Sequence, residues 1–199
     1  MTKVIGVIGG IGSGKSAVSS AFRRIGALVL DADALAQEVL KRRKTLDALR
    51  ATFGPGIFDT NNTLDRPALA RRVFGPENQE ALRSLNTIVH PAVRLELERG
   101  LQEARQQGVP LVVLDIPLLL KSPFLAECDH LVFVKASRDT RLRRVAQRQW
   151  TADELDRRES SQCSLAKKEE ASDFIIENES SLKELEDKVR KLFDQVVEG

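Results

Sequence analysis

Apolar and polar positions along the chain follow two rhythms. Short unbroken apolar runs, rich in β-branched residues, occupy 4–8, 27–30, 109–114, 130–134 and 174–176. Runs of this length and composition predict strands buried on both faces. Elsewhere apolar residues recur at helical spacing. Val18, Ala21, Phe22 and Ile25 follow the first run, and Leu182, Leu185, Val189, Leu192, Phe193 and Val196 close the chain as an amphipathic helix. Strands alternating with helices predict an α/β fold of three layers built on a five-stranded parallel sheet. Right-handed crossovers would gather the strand carboxyl ends on one edge, where ligands collect.

The strands are unevenly spaced. The second ends near Asp31 and the third begins at Val109, a gap far longer than one crossover needs. Within it Leu35, Val39 and Leu40 form one stripe, and Leu46, Leu49 and Phe53 another. Gly54-Pro55-Gly56 and Asn61-Asn62 read as turns, and Asp65 suits the cap of a helix with Pro67 in its first turn. A longer stripe runs through Leu82, Leu85, Val89, Val93, Leu97 and Leu101, where Pro91 predicts a kink or a new helix start. Residues 34–108 are therefore expected to be a helical insertion that holds a second substrate. The core would comprise 1–33, 109–136 and 169–199. Residues 137–168 carry Arg138, Arg141, Arg143, Arg144, Arg148, Arg157 and Arg158 with few apolar anchors, and are expected to form an arginine-bearing lid.

Composition narrows the setting. At 199 residues the chain has room for one α/β domain with a sizeable core. A net charge of +2 and 5% aromatic residues argue against nucleic-acid binding, which wants basic patches and stacking platforms. No apolar run approaches the roughly 18–20 residues of a membrane span. Met1-Thr2-Lys3 leads directly into the first strand, so no signal peptide is expected. Cys128 and Cys163 lack metal-ligand spacing and predict reduced thiols in a cytoplasmic protein. No obligate protein partner is indicated.

The chemistry begins at the end of the first strand. Gly9-Gly10-Ile11-Gly12-Ser13-Gly14-Lys15-Ser16 matches the phosphate-binding loop, G-x-x-x-x-G-K-[ST], in its strand–loop–helix context. Glycines let the backbone amides turn toward phosphate oxygens, and the helix N-terminus adds positive potential. Lys15 would serve the β- and γ-phosphates of a nucleotide, and Ser16 would ligate Mg²⁺. Asp31 and Asp33 lie past the second strand. A carboxylate there can take the proton of an attacking hydroxyl, or cap the following helix. Asp115 ends the third strand and reads either as a Mg²⁺-orienting group or as a carboxylate bonded to backbone amides. His90 and Arg66 lie in the insertion; each reads either as an ordinary packed or surface residue or as a substrate contact.

Taken together these residues resemble the dephospho-coenzyme A kinase family. The likeness runs from residues 6–16 through Leu30-Asp31-Ala32-Asp33, Leu64-Asp65-Arg66, Ile88-Val89-His90-Pro91 and Leu114-Asp115-Ile116-Pro117-Leu118-Leu119. It continues to Arg144, Arg148 and the stretch from Ser172 to Asn178. The resemblance implies ATP-dependent phosphorylation of the ribose 3′-hydroxyl of dephospho-coenzyme A, with Mg²⁺. It makes Asp33 the base and gives the ATP phosphates to Lys15 and the backbone of Ile11, Gly12, Ser13, Gly14, Lys15 and Ser16. It brings Arg144 and Arg148 onto the phosphoryl group, sets Asn178 near the adenine, and offers Arg66, His90 and Asp115 to the acceptor. The chain departs from the family pattern at Leu120-Lys121, where an aromatic and an acid are usual, and at Ala17. The stretch from Arg148 to Gln162 is one residue short of that pattern. Another small-molecule or nucleoside monophosphate kinase of the same architecture is the alternative. A GTPase switch is disfavoured because no Asn-Lys-x-Asp element occurs.

Overall fold

The computed structural model describes residues 1–199, the side chain of Pro76 excepted. β1 (Lys3–Gly9) lies at the centre of a five-stranded parallel sheet ordered β2-β3-β1-β4-β5. Its partners are β3 (Leu111–Asp115) on one side and β4 (His130–Lys135) on the other. β2 (Leu28–Asp31) and β5 (Phe174–Glu177) form the edges. All five expected strands are present, with no end shifted by more than two residues.

Burial explains the continuous apolar runs. Ile5, Val7, Leu111, Val113, Val132, Val134 and Ile176 project into one core. That core is closed by Val18 and Phe22 of α1 (Lys15–Arg24) and by Leu185, Val189, Leu192 and Val196 of α9 (Leu182–Glu198). The alternate residues Val4, Val112, Leu114, Leu131 and Phe133 are buried as well, so the inner strands have no wet face. Gly6 is required by this packing: a Cβ there would fall 2.4 Å from Leu119 Cδ2 and 2.7 Å from Leu131 Cδ2. Leu182, expected in the closing stripe, is exposed, because Ser181 caps α9 and leaves its first residue at the rim.

The chain packs as two bodies, 1–31 with 101–199, and 32–100. The edges expected from sequence were 33/34 and 108/109. The last turns of α5 (Gln79–Gln106) belong instead to the sheet body, with Leu101 and Ala104 buried. That body also contains 137–168, as α6 (Arg138–Ala146), α7 (Ala152–Ser160) and the start of α8 (Leu165–Glu170).

The second body is helical: α2 (Ala32–Val39), α3 (Arg43–Phe53), α4 (Arg66–Val73) and most of α5. Leu49, Ile57, Leu69 and Val73 form its core, lined by Leu40, Phe53, Phe58, Leu64, Leu85 and Ile88. Asp65 caps α4, accepting from Ala68 N at 3.0 Å, and Asp59 accepts from Asn61 N and Thr63 N in the expected turn. Pro91 does not start a new helix; α5 runs through it. A proline removes one backbone donor and crowds the preceding turn. Buried Val89, Val93 and Leu97 on either side hold the helix together across that fault.

Candidate active site

β1 ends at Gly9 and α1 begins at Lys15, and the residues between them turn on glycine. Gly14, the N-cap, has φ +88° and no side chain caps the helix. A Cβ on Gly14 would lie 2.1 Å from Asn178 Nδ2, so both its backbone angle and its surroundings demand glycine. The carbonyls of Gly9, Gly10, Gly12, Ser13 and Gly14 all accept hydrogen bonds. Lys168 Nζ donates to Gly9 O (2.9 Å), Ser13 N to Gly10 O (3.1 Å), and Ala17 N to Gly14 O (2.9 Å). Ser13 O accepts from Arg144 Nη1 and from Asn178 Nδ2, each at 2.8 Å. With these carbonyls bonded and no side chain capping α1, the helix N-terminus is left for an anion.

Lys15 and Asp115 meet at the carboxyl edge of the sheet. Lys15 Nζ donates to Asp115 Oδ1, and Ser19 Oγ donates to Asp115 Oδ2 at 2.7 Å. Ser19 stands four residues after Lys15 on the same face of α1, so one turn of helix serves both oxygens of the buried aspartate. Asp31 is in register beside Asp115 on β2. Two carboxylates and a lysine thus converge where the sheet ends. Ser16, the second residue of α1, is exposed.

The arginine-rich segment is tied into the loop. The Arg144 guanidinium donates to the carbonyls of Gly12 (3.3 Å), Ser13 and Asn178 (2.9 Å). Asn178, just past β5, is buried and spends its side chain on Ser13 O. Its neighbour Glu179 accepts from Thr140 Oγ1 (2.6 Å) and from the backbone of Ser137. Those bonds hold its carboxyl below the usual range. Arg148 is exposed in the turn that ends α6. Arg141, by contrast, is buried and donates to Glu159 of α7. Buried Lys168 donates also to Gln162 Oε1 at 2.8 Å, and burial lowers its pKa.

The insertion's candidates belong to the helical body. Asp33 is exposed in the first turn of α2, Arg66 is the exposed first residue of α4, and His90 is exposed on α5 just before Pro91. Arg42 and Arg99 both engage the buried carboxylate of Glu96, at 2.7 Å each, which braces this body internally. Ser19, Glu159, Lys168 and Glu179 are not singled out by the sequence, and Arg141 only as one of the arginines of 137–168; the spacing of Ser19 from Lys15 is the signal that could have found it.

The oxygen donors of Ser16 and Asp115 are of the kind a hard cation takes. No group of three or more His, Cys, Asp or Glu side chains converges among the described residues. The oxygens at hand, Ser16 Oγ and Asp115, are few, as for an ion completed by water and phosphate. No helix among the described residues is long and apolar enough to cross a membrane.

A phosphate loop closing the central strand, with a lysine–aspartate pair at the sheet edge and arginine-rich helices behind, defines a P-loop kinase. The family model of dephospho-CoA kinase matches residues 3–184. A dephospho-CoA kinase of Geobacillus kaustophilus is 40% identical over 188 residues, 92% of each chain. A crystal structure from Thermus thermophilus superposes with TM-score 0.76 at 34% identity, covering 98% of both chains. Dephospho-CoA kinase from Campylobacter jejuni gives 0.74 over 100% and 99% of the chains, at 23% identity a likeness of fold. The chain belongs to the dephospho-CoA kinase family.

Proposed function

We propose that this protein transfers the γ-phosphoryl group of ATP to the ribose 3′-hydroxyl of dephospho-coenzyme A, yielding coenzyme A and ADP. The observation that carries the reading is the phosphate loop itself, with its carbonyls tied by Arg144 and Lys168 and Lys15 at its exit, in a chain of this family. In the proposed reaction the amides of Ile11 to Ser16 hold the ATP phosphates. Lys15 exchanges the Asp115 carboxylate for the β- and γ-phosphates. Phosphoryl transfer asks little covalent chemistry of a protein; positioning and charge neutralisation do most of it.

Asp33 accepts the proton of the 3′-hydroxyl as its oxygen attacks phosphorus in line, and ADP leaves on the opposite side. Arg66 and His90 contact the acceptor within the helical insertion. Arg144 keeps the loop shaped through the Gly12 and Ser13 carbonyls. Arg148 comes onto the phosphoryl group as the exposed turn after α6 closes over it, the lid's movement being confined to residues not bonded to the loop. Asn178 marks the adenine end. Ser16 and Asp115 would hold Mg²⁺, which when bound offsets the charge of the β- and γ-phosphates. The setting is cytoplasmic, with no nucleic-acid, membrane or obligate protein partner.

The test is a coupled ADP-release assay with ATP and Mg²⁺, comparing dephospho-coenzyme A with adenosine, AMP and no acceptor. Turnover confined to dephospho-coenzyme A is expected. Equal rates with AMP, or acceptor-independent hydrolysis, would refute the substrate assignment.

A further inference from the structure

One buried cation of the sheet body has no part in the scheme above. Lys168, on α8, is 7% exposed, and its ammonium donates to Gly9 O at 2.9 Å and to Gln162 Oε1 at 2.8 Å. Gly9 is the last residue of β1 and the first of the phosphate loop. The charged groups around this ammonium come from two other helices: Arg141 of α6 and Glu159 of α7, bonded to each other. Cys163 lies beside it in the α7–α8 turn. An ordinary surface lysine keeps its charge in water. Burying one costs free energy unless the site uses the charge or its donors.

The peptide plane explains the use. A trans peptide points its carbonyl and the following N–H in opposite directions. While Gly9 O faces Lys168, the Gly10 N–H faces the other way. If that peptide turned over, the chain would enter the amides of Ile11 to Ser16 from a different backbone direction. The other loop carbonyls with donors rely on Ser13 N, Ala17 N, Arg144 and Asn178. At Gly9 the side-chain donor is Lys168.

We propose that Lys168 is a positioning residue for the nucleotide: its ammonium pins the Gly9 carbonyl from behind and keeps the entrance of the phosphate loop in its anion-binding shape. This rests on the loop being the ATP site. It assigns a role in nucleotide affinity to α8, whose Lys168 reaches the first residue of the phosphate loop.

The test compares the unaltered protein with Lys168→Met, which keeps an unbranched stem and removes the donor, and with Lys168→Arg, which keeps a charged donor. ADP affinity by calorimetry and the KM values for ATP and dephospho-coenzyme A are measured alongside Tm. Lys168→Met is expected to weaken ADP at least tenfold and raise the ATP KM similarly, with the acceptor KM within twofold. Lys168→Arg should recover most of the ADP affinity. If Lys168→Met lowers Tm but leaves ADP affinity within twofold, or raises both KM values alike, the lysine is only structural and the proposal fails. It fails too if neither variant folds, since pinning one loop cannot be worth the whole fold. No ADP binding by the unaltered protein would instead refute the nucleotide reading itself.

Discussion

Replacing Gly14 by alanine puts the geometry of the phosphate loop to a quantitative test. Two costs add. Alanine at φ +88° is strained by about 1–2 kcal/mol, as any L-residue in the left-handed region is. In addition its Cβ would sit 2.1 Å from Asn178 Nδ2 and 3.2 Å from Arg144 Nη1. The Asn178 side chain must withdraw from Ser13 O, and leaving a buried polar group unsatisfied costs about 1–3 kcal/mol. Gly26, with φ +98° and nothing within 4 Å of its would-be Cβ, supplies the control, because Gly26→Ala bears the strain without the clash. The difference between the two variants is therefore about 1–3 kcal/mol. For a chain of this size each kcal/mol moves Tm by about 2–4 °C, so Gly14→Ala should melt roughly 6 °C below Gly26→Ala. Thermal unfolding followed by circular dichroism measures this, and the ATP KM is read on the same samples. Gly14→Ala should raise that KM at least tenfold while Gly26→Ala leaves it within twofold. Equal melting temperatures, or an unchanged ATP KM in Gly14→Ala, would refute the claim that Asn178 and Arg144 hold this loop in shape.

Other consequences can be measured on the same protein. Asp33 is exposed, so Asp33→Asn should keep Tm within about 2 °C and lower kcat by about 10²-fold or more; a loss under tenfold would remove it as the base. Ser16→Ala should raise the Mg²⁺ concentration needed for half-maximal turnover several-fold without weakening ADP measured in the absence of Mg²⁺, and an unchanged Mg²⁺ titration would sink that ligand assignment. Cys128 is pushed up to about 12 from 9.0, chiefly by burial and then by the charges of Asp129 and Glu127. Its thiol stays protonated in the fold while the unfolded chain ionises near 9.0, so stability is full below that pH and falls as pH rises toward about 12. Cys128→Ala should flatten that alkaline decline in urea unfolding curves; an identical slope in both proteins would contradict the burial argument.

Local rules reached a long way in this chain. The β-branched runs became strands; in β1, β3 and β4 cover on both faces selects apolar residues at every inner position, while in the edge strand β5 Ile175 stays exposed. The phosphate loop was legible locally too. Its glycines, lysine and serine are contiguous, and the backbone angle at Gly14 is a local demand. The cap at Asp65 and the turn at Asn61-Asn62 are likewise short-range chemistry.

What the linear pattern left undecided was set by packing between distant segments. Pro91 carries a strong local signal to break the helix, yet the buried residues flanking it keep α5 continuous, because tertiary burial outweighs one lost hydrogen bond. Nothing distinguishes Lys168 from Lys167 in the charged run that holds them both. Only the placement of α8 behind β1 buries one against Gly9 O and leaves the other in water. Arg141 and Arg138 read alike in sequence; the fold buries the first with Glu159 and leaves the second in an exposed pair with Asp156. Elements, and the chemistry of contiguous motifs, are written in nearest neighbours. Which member of a charged run becomes part of the site depends on contacts with other elements, and those exist only once the fold has brought the segments together.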